Sequence, residues 1–274
     1  MEHELWFTAL LNKILGGPVA AFLATLGHPA ADAVHPIPNY IAMEILVILI
    51  ILAGAILLRR QLSVESPGKF QQAMEMVVEF TRDMNEEIIG HGSSRYLAMI
   101  GTLGIFIMLC NVLGLIPTLQ TPTGHIEVTL GCAVAAFLYY NFQGIRHHGP
   151  LGYLKHFCGP NMGNVVITIF MGILMFPIEV VGNVGRLLSL SVRLYANMFV
   201  GDILEAVFTS SIPGAAAPIL GHYSKLFAEV FAVISPIGVP AVFMVLHLFV
   251  SLLQAYIFML LPAIYISMAV SEEH

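Results

Sequence analysis

IEVVGNVGRLLSLSVRLYANMFVGDILEAVFTSSI, residues 178–212, contains no proline. It is the core of a helix-compatible run, 165–212, in which no proline stands between Pro177 and Pro213. As one helix that run is about 72 Å long at about 1.5 Å per residue. A bilayer's hydrocarbon core is only about 30 Å thick, so such a helix must tilt steeply or kink. Residues 226–270 form a second run of similar length, with Pro236 and Pro240 placed to kink its start. Between them SSIPGAAAPILGHYS, 210–224, reads as a turn. The C-terminal half is therefore expected to be a hairpin of two overlong helices.

The composition agrees with a membrane setting. Of 274 residues 58% are hydrophobic and 10% charged, far below the roughly one-quarter charged residues of soluble domains. Net charge is −6 and the eleven Lys and Arg are scattered, so no nucleic-acid partner is indicated. Cys110, Cys132 and Cys158 lack CxxC spacing and read as small apolar packing residues. MEHELWFTALLNK at the N-terminus carries Glu2 and Glu4 where a signal peptide needs positive charge, so no cleaved signal is expected.

Working outward, YIAMEILVILIILAGAILL, 40–58, is a clear span closed by Arg59 and Arg60. Residues 67–92 are polar on average, yet Phe70, Ala73, Met74, Val77, Val78, Met84 and Ile88 keep helical spacing. That pattern suits a helix lying on the membrane surface. Further spans cover 96–117, stopping at Pro117, and 126–142, with a turn-rich loop at 118–125 and a polar loop at 143–164. Residues 1–39 form a weakly amphipathic lead-in broken by Gly16, Gly17, Pro18, Pro29, Pro36 and Pro38. The fold class is an all-α integral membrane protein. It has about five membrane-inserted helices, a surface amphipathic helix and the C-terminal hairpin of two long tilted helices. Its division is an outer N-terminal segment, 1–39, and a membrane domain, 40–274.

Lysine and arginine placement sets the orientation. Arg59, Arg60, Lys69, Arg82 and Arg95 cluster in the first long loop, and Arg146 and Lys155 follow the third span. Those loops belong on the cytoplasmic side. The N-terminus and 210–224 then lie outside, and the C-terminus inside.

Glu179, Arg186 and Arg193 are spaced by seven, so they share one helix face with a drift of about 20° per step. Asn197 follows Arg193 by one turn, and Asp202 falls on the opposite face. A charge in the bilayer core is a functional candidate by default. The bland alternative for Arg193 is a structural ion pair with Glu179 or with a partner helix, and Arg186 fits a structural role or a wet cavity equally well. Glu205 and Glu229 read as interfacial structural residues. On the second long helix His247 and Gln254 are also seven apart, with Ser251 between them. If Asp202 is level with His247 in the antiparallel hairpin, Gln254 is level with Tyr195, within about a turn of Arg193. A carboxylate beside an imidazole makes a proton relay.

These residues carry a family resemblance. SLSVRLYANMFVGD (189–202), His247 and LLQAYIFMLLPAIYISMA (252–269) resemble subunit a of the rotary ATP synthases. PGKFQ (67–71), NVLGLIP (111–117), VTLG (128–131) and the SEEH ending (271–274) fit the same family in the same order. The resemblance covers roughly 40–274. It implies a stator subunit against a rotating ring of c subunits, with peripheral-stalk b subunits, other synthase subunits and membrane lipid as further partners. It also implies a multi-pass protein of the bacterial inner membrane with two proton half-channels that end at the ring without meeting.

By motif, Arg193 matches the family's essential arginine, Asn197 the asparagine one turn on, and Gln254 the glutamine beside the arginine. Asp202 and His247 match the polar pair of the outer path, and Glu179 an acidic residue of the inner one. LYANM replaces the commoner LFGNM, and Glu127 stands where many members have Asn. Arg193 would be a fixed charge, because a guanidinium does not give up its proton. It would block direct proton passage and receive an ionised ring carboxylate that faces a high cost in lipid.

Other classes fit less well. A secondary transporter would show internal repeats and a helix broken beside the charge. An intramembrane hydrolase would need HExxH or GxSxG, and ATP chemistry a GxxxxGK[ST] loop; the sequence holds none of these. No cofactor and no metal is called for. A purely structural scaffold has no use for the Arg193, Asp202 and His247 set.

Overall fold

The computed structural model describes residues 4–26, 35–90, 92–116, 119–156, 165–223 and 225–270. Within them it describes the backbone alone at 155–156, 165–169, 171, 202, 204–206, 208–223, 225–237 and 239–240. The described residues form seven α-helices: α1 (Trp6–Thr25), α2 (Asn39–Gln61), α3 (Lys69–Ile89), α4 (Leu97–Leu113), α5 (Ile126–His156), α6 (Val165–Tyr223) and α7 (Lys225–Val270). There is no strand among them. Six helical stretches are long and apolar enough to cross a membrane, and α3 is not one of them. The all-α membrane class is therefore met, with α6 and α7 as the two overlong C-terminal helices.

Four local readings change. The lead-in holds a full helix, α1, which runs through Gly16, Gly17 and Pro18. An interior proline costs a helix about 3 kcal/mol, and tertiary contacts offset it here. Asn12 accepts from Ile37 N–H at 3.0 Å and donates to Ile37 O at 3.2 Å, while Phe7, Leu11 and Ile37 are buried with Ala42, Met43 and Val47. The expected loop at 143–164 is helical as far as His148 and turns at Gly149, whose φ of 74° only glycine adopts freely. Pro150 follows, a residue suited to the first position of a helical turn. The remainder of that loop, 157–164, lies outside the described residues. Residues 210–223, expected as a turn, continue α6. The alanines at 215–217 are the strongest helix formers, and they favour continuing the helix past Pro213 and Pro218. Finally, α4 stops at Leu113 rather than at Pro117, itself outside the described residues; tight bonds from Gly114, Leu115 and Ile116 N–H close its last carbonyls.

The chain divides into two compact units. The first comprises residues 1–53, 106–125 and 194–254. Its core is α1 packed with Ile37, the start of α2, and Cys110 and Leu113 of α4. The second comprises 54–105, 126–193 and 255–274. There Met84 and Tyr96 pack with Ile100, Tyr140 and Tyr153, and with Met259, Ala263, Ile266 and Ala269 of α7. Ser267 donates to Ile88 O at 2.9 Å, which ties the end of α3 to the end of α7. Outward apolar side chains such as Leu49, Leu52, Ile173, Val181, Val245 and Phe249 remain exposed, as lipid-facing residues must.

Candidate functional site

Within the first unit, α6 and α7 bring three expected site residues together. Asn197 Nδ2 donates to Gln254 Oε1 at 2.8 Å. A β-carbon built on Gly201 would lie 3.8 Å from His247 Nδ1. The pairs 197–254 and 201–247 run in opposite senses along the two helices, within a residue or two of the expected register. Ser251 Oγ donates back to the His247 carbonyl at 2.7 Å, a bond that keeps a hydroxyl satisfied without leaving its own helix. His247 and Gln254 are buried.

Two nitrogens in this group, His247 Nε2 and Gln254 Nε2, are buried with no hydrogen-bond partner among the described residues. Such groups normally find one. A cleft of about 290 Å³ lies against His247 and is lined also by Asn197, Gly201, Phe243, Leu246 and Val250. Water occupies about 30 Å³ in the liquid, so the cleft has room for several molecules. Asp202 follows Gly201 on α6, and its side chain lies outside the described residues.

The second unit holds the charged stripe. Arg186 Nη2 meets Glu179 Oε1 at 3.1 Å, and its guanidinium carbon sits 5.6 Å from the centre of the Tyr265 ring. Thr129 and Ser191 share a hydroxyl–hydroxyl bond of 3.3 Å across α5 and α6. Arg193 is half-buried, and no carboxylate among the described residues lies within ion-pair distance of it. Its structural-pair alternative with Glu179 thus fails, because Glu179 belongs to Arg186.

Four further polar residues belong to this group and were not singled out from the sequence. Tyr140 OH donates to Asn183 Oδ1. Asn183 Nδ2 donates to Asn141 Oδ1 at 3.1 Å, and Tyr153 OH donates to the same oxygen at 2.9 Å. One signal was available: Asn183 falls four residues after Glu179 and three before Arg186, on their face of α6. Nothing in the local pattern joins Tyr153 to Asn141. Glu127, in the first turn of α5, is exposed.

A multi-pass helical protein that keeps arginines, a carboxylate and an imidazole inside its spans is of the class that moves ions across a membrane. Residues 41–267 match the model of the ATP synthase A chain. The ATP synthase subunit a of Koribacter versatilis is 41% identical over 274 residues, the whole of both chains. That of Solibacter usitatus is 40% identical over 265 residues, 97% of this chain and all of the relative. ATP synthase subunit a 3 of Pelobacter propionicus is 33% identical, again over both whole chains. This chain belongs to the ATP synthase A chain family, the proton-translocating stator subunit of the synthase's membrane sector.

Proposed function

We propose that Arg193 is the fixed charge separating two proton half-channels, and that its counter-charge is a carboxylate on a ring of c subunits. The observation that carries this is the state of Arg193. It has no carboxylate within ion-pair distance among the described residues, and it lies on the span least covered by its own chain, with 11% of the span's most apolar window buried. A desolvated guanidinium without a counter-charge is costly, so a partner from another chain is the physical requirement.

In this reading Asp202 and His247 line the outer path. The buried, unpartnered His247 Nε2 beside a water-sized cleft supports that role. Asn197 and Gln254 hold the helices in register next to Arg193, and Glu179 marks the inner path. A ring carboxylate that has released its proton inward is drawn to Arg193, reloads from the outer side, and leaves neutral into lipid. Each proton crossing about 100 mV supplies about 2.3 kcal/mol, so several protons drive one ATP. ATP chemistry takes place on other subunits, and peripheral-stalk b subunits hold the stator. Residues 40–274 form the membrane domain and 1–39 an outer segment. The membrane is the bacterial inner membrane, with the N-terminus outside and the C-terminus cytoplasmic.

The test is Arg193→Ala in the assembled complex in vesicles. ATP synthesis driven by a proton gradient should be abolished with assembly intact. Arg193→Lys should restore it only partly, because an ammonium can deprotonate when desolvated and lacks the planar fork. Near wild-type synthesis by an assembled Arg193→Ala complex rejects the role.

A further inference from the structure

Asn183 stands between Glu179 and Arg186 on one face of α6, and the ion pair of its neighbours spans over it at 3.1 Å. It is 7% exposed, and both ends of its carboxamide are engaged. Its oxygen accepts from Tyr140 OH, and its nitrogen donates to Asn141 Oδ1 at 3.1 Å. Tyr153 OH donates to the same Asn141 oxygen at 2.9 Å, and Asn141 Nδ2 donates to Phe137 O at 2.8 Å. Tyr140 and Tyr153 are buried too, and none of the four side chains lacks a partner.

The sequence goes to some length to bring Tyr153 back to Asn141. The chain turns at Gly149, where φ is 74°. A β-carbon on residue 144 would run into the Tyr153 ring, so any larger residue there forces that ring to move. On the far side the Tyr140 ring is 5.6 Å from the Tyr265 ring, and Tyr265 carries the Arg186 guanidinium on its face. The hydrogen-bonded chain therefore joins the folded-back end of α5 to the middle of the α6 stripe, with α7 stacked behind. It is also neutral. A carboxamide neither gains nor loses a proton at ordinary pH, so two of its four members cannot pass one on. The chain can hold, but it cannot conduct.

We propose that Tyr153, Asn141, Asn183 and Tyr140 form a clasp that sets the rotation of α6 about its own axis. They are positioning residues for ion translocation, an inference that rests on the role given to Arg193 above. A helix is stiff, and each residue turns it by about 100°. Arg193 lies ten residues beyond Asn183, about 15 Å along the axis. The angle fixed at Asn183 is therefore delivered to Arg193 without any contact between them.

The experiment uses the assembled complex in vesicles and reads ATP-driven proton uptake per assembled complex, with ATP hydrolysis measured alongside. Tyr153→Phe removes one oxygen and keeps the ring; it should lower the flux about threefold, and Asn183→Leu about tenfold, within the range a misplaced group causes from a distance. Gly144→Ala, which evicts the ring, should match Tyr153→Phe or exceed it. Tyr153→Phe added to Asn183→Leu should change little further, because both break one chain. A network that only stabilises would lower the amount of complex and leave flux per complex unchanged. That result in Tyr153→Phe overturns the clasp. If Asn183→Leu fails to assemble, Tyr140→Phe and Tyr153→Phe decide by the same reading. Arg193→Ala in the same vesicles separates the two ideas. If it pumps normally, the role of Arg193 falls and the clasp with it. If it is silent while Tyr153→Phe is normal, the clasp alone falls.

Discussion

His247 presents a buried imidazole nitrogen with no protein partner among the described residues, beside a cleft wide enough for water. Imidazole is the side chain best matched to proton exchange near neutral pH. On the proposal that His247 and Asp202 relay protons as a unit, His247→Ala and Asp202→Ala should each cut proton flux about 100-fold, the low end for a positioned proton-transfer group. The double alanine should cost little more than either, since residues acting together are non-additive. Combining Asp202→His with His247→Asp should recover part of the loss, because the pair keeps one carboxylate and one imidazole. Proton uptake into vesicles for all four variants is the measurement. Additive losses with no recovery by the exchange reject the relay and leave Arg193 standing alone.

Among the elements, α5 shows most directly how one backbone angle decides an arrangement. Gly149, with φ 74° and ψ 163°, lies in a region that a side chain makes costly. Gly149→Ala should destabilise the protein by about 1–3 kcal/mol and loosen the return of Tyr153 to Asn141. Thermal unfolding of the purified subunit complex in detergent should show a lower midpoint, and proton flux should fall as it does in Tyr153→Phe. An unchanged midpoint with normal flux contradicts the strained turn. The glycine–proline pair at 149–150 was visible as a break, but where the chain goes after a break depends on what Tyr153 finds. In α1 the opposite happened. Gly16, Gly17 and Pro18 signal an interruption, and the contacts of Asn12, Phe7 and Leu11 override it.

At the scale of the whole molecule, lysine and arginine placement gives the expected sense across the membrane. Arginine and lysine concentrate in 59–95 and again in 146–155, and the stretch 210–224 holds none. On the positive-inside rule this puts Ser66 in the cytoplasm and Ser211 outside. Single cysteines at Ser66 and Ser211, introduced after replacing Cys110, Cys132 and Cys158, should react with an impermeant reagent from opposite sides of the membrane. Labelling from one side refutes the orientation. Continuation of α6 through 210–223 leaves this expectation in place, because a helix end can reach the outer surface as readily as a loop.

What the sequence by itself determined is whatever depends on composition and period. Long apolar runs require helices in a bilayer, since no water is present to satisfy a bare backbone. A seven-residue spacing puts Glu179, Arg186 and Arg193 on one face without reference to any neighbour. Supposing Asp202 level with His247 in an antiparallel hairpin puts Tyr195 level with Gln254, and α6 meets α7 within a residue or two of that, at Gly201 with His247 and Asn197 with Gln254. Tertiary structure alone decided the partners. Glu179 pairs with Arg186 and Arg193 is left without a carboxylate among the described residues, a choice among three groups on one stripe that spacing cannot make. Asn197 on α6 donates to Gln254 on α7. Tyr153, twelve residues from Asn141 in a stretch that reads as loop, reaches it only because a glycine turn folds the end of α5 back on itself. Hydrogen-bond partners are set by distances of about 3 Å, and those follow from how helices pack rather than from the period of any one of them.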